Sequence, residues 1–316
     1  MSELKSACDR LTQALGQIVV GQSNLIRDLM VALLSGGHVI LEGVPGTGKT
    51  LLVKVLAQVV QADFRRIQLT PDVLPSDILG VNVFDPNTRT FTLKRGPVFS
   101  EVLLADEINR TPPKTQSALL EAMEEQQVTL DGESLRLPDL FWVIATQNSL
   151  EFEGTYPLPE AQLDRFLFKL MVDYPEQKAE RQMLLNAQAG LQTKRLDLVK
   201  LKPILNVAQV LAARQAVRAV QVSDPLIDYL LAIVQRSRKH ADLALGASPR
   251  SGVAWLQASK AHAWLNNRDF VTPDDVKAIA PAILRHRLIL RPEAQLDGLQ
   301  VDSVITSLLG QVPVPR

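Results

Sequence analysis

Apolar residues in the first half of the chain gather into five short runs, at 38–42, 64–69, 101–106, 141–146 and 166–171, separated by stretches of helical spacing. Strands alternating with helices predict βαβ units and a mostly parallel sheet, the α/β class. Such a sheet binds ligands beyond the carboxyl ends of its strands. Ahead of the first run, Leu4, Ala7, Leu11 and Leu15 share one face of a segment broken by Lys5, Asp9 and Arg10. That spacing predicts an amphipathic helix rather than a charged-then-apolar leader.

After Asp173-Tyr-Pro175 the strand pattern stops, and the rest reads as helices. Asp224-Pro225, Ser248-Pro249 and Thr272-Pro-Asp-Asp275 each pair an N-cap side chain with a proline at the first helical position. The expected organisation is an α/β core over 1–173 and an all-α second domain over 174–316. Two stretches read as insertions into the core. Gly80 to Phe99 alternates polar and apolar residues around Asp85-Pro-Asn87, and Gln127 to Leu137 alternates around Asp131-Gly132. Asp-Gly between alternating segments is a strong hairpin signal. Both fit surface loops, or projections from a ring that touch a partner.

Composition narrows this picture. The chain has 316 residues, 46% of them hydrophobic and 22% charged, enough to bury a sizeable core. Lys plus Arg total 34 and Asp plus Glu total 34, so no global field draws it to nucleic acid or a membrane surface. The single cysteine, Cys8, cannot form an internal disulfide and fits a reducing compartment. No apolar stretch approaches membrane-spanning length. The reading is a cytoplasmic protein without membrane insertion.

Residues 43–50 carry the first chemistry: Gly43-Val44-Pro45-Gly46-Thr47-Gly48-Lys49-Thr50 matches G-x-x-x-x-G-K-[ST] at every specified position. The glycines let backbone N–H groups wrap a polyphosphate. Lys49 can reach the β- and γ-phosphates, and the Thr50 hydroxyl can ligate Mg²⁺. An apolar strand precedes the loop and a helix running through Leu51 follows it, so the phosphates would meet a helix N-terminus. The chain binds a nucleoside triphosphate.

Further along, Val102 to Ala105 ends in Asp106-Glu107. A buried strand seldom ends in paired carboxylates without a cation nearby. Asp106 would hold Mg²⁺ and Glu107 would polarise the attacking water, unless Asp106 only caps the next helix. The strand ending at Asn148 offers an amide that can orient that water, or a plain turn residue. Arg165 stands just before the fifth run and Arg250 in the first turn after Ser248-Pro249. Either can serve a γ-phosphate, and either fits a surface or salt-bridged arginine.

Together these residues resemble the AAA+ ATPases, most closely the MoxR family. Gly43 to Thr50 is similar to Walker A, Leu103 to Glu107 to Walker B, Asn148 to sensor 1, Arg165 to the arginine finger and Arg250 to sensor 2. Val19-Val20-Gly21-Gln22 resembles the adenine-side segment. Asp106-Glu-Ile-Asn-Arg110, Pro112-Pro-Lys-Thr-Gln116 and Pro157-Leu-Pro-Glu-Ala-Gln162 resemble further signatures of the family. The resemblance implies a P-loop NTPase core with a helical lid over the nucleotide, ATP and Mg²⁺ as ligands, and a hexameric ring. It implies that Arg165 acts on the neighbouring subunit's ATP while Arg250 senses the chain's own. It also implies chaperone-like work on protein clients, with partners that can carry von Willebrand factor A domains.

Other classes fit less well. A GTPase needs Asn-Lys-x-Asp, and the nearest string, Asn266-Asn-Arg-Asp269, lacks the lysine. A nucleic-acid motor or transcription activator is the alternative, with basic clusters at Arg236, Arg238 and Lys239 and at Arg285, Arg287 and Arg291. Solvated helix faces explain such clusters. His38, His240, His262 and His286 have no metal-ligand spacing. Trp142, Trp255 and Trp264 read as packing residues.

Overall fold

The computed structural model describes residues 2–148, 154–188 and 201–315. The chain opens with α1 (Ser2–Ile18), α2 (Ser23–Ser35), β1 (Val39–Gly43), α3 (Lys49–Val59), β2 (Phe64–Gln68) and α4 (Pro75–Leu79). A hairpin, β3 (Gly80–Asp85) and β4 (Thr90–Arg95), leads to β5 (Val102–Asp106) and α5 (Pro113–Glu125). A second hairpin, β6 (Gln127–Leu130) and β7 (Glu133–Arg136), precedes β8 (Trp142–Gln147), α6 (Glu160–Leu163) and β9 (Phe168–Val172). Then come α7 (Gln177–Gln188), α8 (Val207–Arg218), α9 (Asp224–Ser237), β10 (Leu243–Leu245) and α10 (Pro249–Leu265). The last elements are α11 (Pro273–Leu284), β11 (Ile289–Leu290), α12 (Pro292–Leu296) and α13 (Val301–Gln311).

All five apolar runs are strands of one sheet, in the order β2-β5-β8-β1-β9, and every neighbouring pair is parallel. Side chains alternate across it as a strand requires. Val39, Leu41, Val102, Leu104 and Ile144 enter one apolar layer, and Ile40, Leu103, Ala105, Val143 and Ala145 the other. The first layer runs on without a break through Leu29 and Leu33 of α2 into Trp255, Ile279 and Leu308 of the helical half. The second is closed by Leu119, Leu120 and Met123 of α5. Trp142, Trp255 and Trp264 are fully buried, and Cys8 is packed in the first layer, where burial pushes its thiol up to about 12. Among the described residues no helix is long and apolar enough to cross a membrane.

Both insertions are hairpins. Asp131 and Gly132 have φ of 50° and 88°, the two left-handed positions of a tight primed turn. Helix starts follow the sequence signals, with one correction. Ser248 accepts from Ser251 N, and Thr272 shares a capping box with Asp275. The helix expected to be capped by Asp224 is instead flanked by Ser223, without a side-chain capping bond, and Asp224 is its first residue. The antiparallel pair β10–β11 was not anticipated, since two or three residues carry no periodicity.

Buried histidines give the fold a pH signature. His38 accepts from Val143 N through Nδ1 (2.9 Å) and faces the Met123 carbonyl through Nε2 (3.2 Å). Burial pushes it down to about 4, against the Met123 bond, and also holds His286, beside Arg287, well below its usual range. Both therefore stay neutral while the unfolded chain protonates. Their contribution is present above the unfolded value near 6.5 and is lost as pH falls towards the folded one, about 3 kcal/mol for His38. Asp28, raised by burial to about 6 against nearby His262, Arg285 and Arg27, works in the opposite direction. With two groups against one, urea unfolding at pH 5 should give a free energy about 2 kcal/mol below that at pH 7. An equal or higher value at pH 5 would contradict this balance.

Candidate active site

The phosphate loop joins the carboxyl end of β1 to the first turn of α3, with Gly46 and Gly48 both at φ 83°. That left-handed backbone favours glycine. Inside the loop, Lys49 Nζ donates to the carbonyls of Gly43 (2.6 Å) and Val44 (2.9 Å). Partial burial lowers its pKa, while Asp106 and Glu107 pull the other way. The loop lines a cleft of about 390 Å³ together with Arg66, Gln68, Asp106, Glu107, Thr146, Gln147 and Asn148. Lys49, Thr50, Leu51, Asp106, Glu107 and Asn148, separated by up to about a hundred positions in sequence, are thus gathered at one edge of the sheet.

Parallel pairing sets the details. Gln68 is in register with Asp106, and β5 with β8. Thr146 Oγ1 donates to Asp106 Oδ1 (2.5 Å) and accepts from Glu107 N (2.9 Å), so one hydroxyl fixes both acids. Glu107 itself has φ 60°, a costly conformation for a residue with a side chain. Its carboxylate accepts from Gln68 Nε2 (2.7 Å) and Arg110 Nη1 (3.1 Å). Asp106 Oδ2 accepts from Arg66 Nη2 (2.7 Å) and Nε (3.0 Å) and lies 3.4 Å from Thr50 Oγ1. A hydroxyl and a carboxylate oxygen converging in this way fit a hard cation that keeps several waters. Arg66 holds the same oxygen and supplies the cation that this carboxylate requires.

Val20, Gly21 and Gln22 lie beside the exit from β9. Gln22 Nε2 donates to the Asp173 carbonyl (3.1 Å), and Gly21 packs against Pro175 and Ala179. Gly43 pairs with Val172, which brings this segment next to the phosphate loop. The segment borders the cleft without lining it.

The two candidate arginines are elsewhere. Arg165 and Arg250 both bind Glu124, through Arg165 Nε to Oε2 (3.0 Å) and Arg250 Nη1 to Oε1 (3.0 Å). They line a hollow with Gly36, Gly37 and His38, at the amino end of β1. The five residues of β1 put about 16 Å between that end and the phosphate loop. The residues that line the cleft all belong to the sheet half. Arg250 therefore stands apart from the phosphate loop of its own chain. The physical reason is the seat of α10. Its buried face packs on α2 and α11, so its N-terminus opens over the end of α5 instead.

Comparisons with known proteins agree with this geometry. The model of the ATPase family associated with various cellular activities (AAA) matches residues 38–168, and that of the AAA lid domain matches 235–308. The uncharacterized protein YeaC of Bacillus subtilis is 44% identical over 99% of this chain and 96% of its own. The chaperone MoxR1 of Mycobacterium tuberculosis is 42% identical over 95% of this chain and 80% of its own. This chain belongs to the MoxR family of AAA+ ATPases. The crystal structure of a candidate ATPase from Cytophaga hutchinsonii superposes on this MoxR chain with a TM-score of 0.90, at 38% identity, covering 99% of this chain and 96% of the other.

Four residues of this MoxR site were missed by the sequence reading: Arg66, Gln68, Thr146 and Glu124. Arg66 and Gln68 had a signal, since two polar residues at spacing two share one face of a strand. Thr146 falls two residues before Asn148, on the same face. Glu124 had none, because its partners come from two distant segments.

Proposed function

We propose that the chain is a Mg²⁺-dependent ATP hydrolase that works as a ring and uses turnover to remodel, assemble or activate partner proteins. The division of the machinery carries this reading: phosphate loop, metal ligands and carboxylate base share one cleft, and two arginines stand together at the opposite edge of the sheet. Water oriented by Asn148 loses a proton to Glu107 and attacks the γ-phosphorus as the bond to ADP breaks. Thr50 and Asp106 would hold Mg²⁺, which would neutralise phosphoryl charge. Lys49 binds the β- and γ-oxygens from within. Arg165 and Arg250 of one subunit complete the site of the next, a head-to-tail contact that closes into a ring. Six members are expected from the family.

The work on proteins rests on kinship and on surface. The relative from Mycobacterium tuberculosis is described as a chaperone. Phe84 and Phe91 on the β3–β4 hairpin are 50% and 71% exposed, with ring centroids 5.3 Å apart. Paired exposed aromatics mark an interaction surface. Protein clients, including proteins with a von Willebrand factor A domain, fit better than nucleic acid for a chain of zero formal charge in the cytoplasm. The test is ATPase activity per subunit across protein concentration. It should rise to a plateau as rings form, whereas activity that stays constant down to monomers would exclude the shared site.

A further inference from the structure

We infer that Glu124 is a positioning residue, the carboxylate that sets Arg165 and Arg250 as a pair for the neighbouring subunit's triphosphate. This rests on the trans reading above. Glu124 stands in the last turn of α5 and gives one oxygen to each arginine, although the arginines come from different halves of the chain. Arg165 belongs to the turn between α6 and β9, and Arg250 to the first turn of α10.

Three features distinguish this from an ordinary surface ion pair. First, Arg165 is held by Nε, and its two terminal amino groups have no partner among the described residues. The half of the guanidinium that matches a phosphate is left available. Second, two guanidiniums close together repel each other, and one carboxylate between them removes that cost while leaving the pair with net positive charge. The third cation of the hollow, Arg287, has its charge taken by Asp164 (2.6 Å), so it does not compete for Glu124. Third, Leu119, Leu120 and Met123 fix α5 against the sheet, so the position of Glu124 is set by buried packing rather than by a mobile loop. A long exposed side chain loses rotamer freedom when it engages a phosphate. Glu124 spends that freedom beforehand, for both arginines together. Because they act on charge that develops in the transition state, the benefit falls on kcat rather than KM.

The test is Glu124→Gln, which keeps the shape and removes the charge. At ring-forming concentration kcat should fall about tenfold with KM changed less than about twofold, and with assembled mass and Tm as in the wild type. Glu124→Gln added to a protein that already carries Arg165→Ala and Arg250→Ala should slow turnover no further, because Glu124 acts only through those two arginines. Wild-type kcat in Glu124→Gln, or a further loss when Glu124→Gln is added after both arginines have been removed, would overturn the positioning role. If Arg165→Ala and Arg250→Ala themselves keep wild-type turnover, the trans reading fails instead, whatever Glu124 does.

Discussion

Replacing Glu107 by Gln should leave ATP binding intact and lower turnover about 10²–10⁴-fold. The carboxylate lies in the phosphate cleft and is fixed from three sides: by its own left-handed backbone, by Thr146 through the backbone N–H, and by Gln68 and Arg110 at the carboxylate. Gln preserves the size and the hydrogen-bonding geometry but cannot take the proton of the attacking water. Lys49, Thr50 and the loop backbone remain, so affinity measured by calorimetry should stay close to wild type. Under the proposed function the same variant should trap partners, because a ring that binds ATP without turnover would keep clients engaged. Wild-type turnover in Glu107→Gln would remove this residue from the chemistry.

Replacing Arg165 by Ala should cost about 10³–10⁵ in kcat, the usual effect of losing an arginine finger. It should barely alter the affinity of a subunit for its own ATP. The geometry carries both halves of that expectation. Arg165 is at the amino end of the strands, beside Gly37 and His38, whereas the loop that grips phosphate is at the carboxyl end. It cannot strengthen binding at a loop it does not reach. Arg250→Ala should behave in the same direction, since both guanidiniums share Glu124. A large loss of nucleotide affinity in either variant, measured on the isolated subunit, would show action on the same chain.

Much of this was legible along the chain because it is written locally. Each strand of the sheet coincides with an apolar run to within two residues, and the inner strands β5, β8 and β1, covered on both faces, are the most buried of them. Asp131-Gly132 announced its hairpin by turn chemistry, and the loop from Gly43 to Thr50 is contiguous. What stayed hidden depends on register and on how helices seat. Arg66 reaches Asp106 only because β2 and β5 pair Gln68 with Asp106. Arg250 sits where its own signature put it, in the first turn of a helix, yet which end of the sheet that helix faces is set by the packing of α10 on α2. Local pattern does not encode such a choice. Glu124 looked like one acid among several on a helix, and only the fold reveals the two cations around it.

The most direct test mixes two dead proteins. Under the proposed function Lys49→Ala should hold no ATP, and Arg165→Ala should leave its neighbour's reaction unfinished. In a ring assembled from equal amounts, a subunit with intact Lys49 next to one with intact Arg165 forms a complete site with a frequency of about a quarter. The mixture should therefore recover about a quarter of wild-type activity when sites act independently. A mixture as inactive as its two parents would contradict a site shared between subunits.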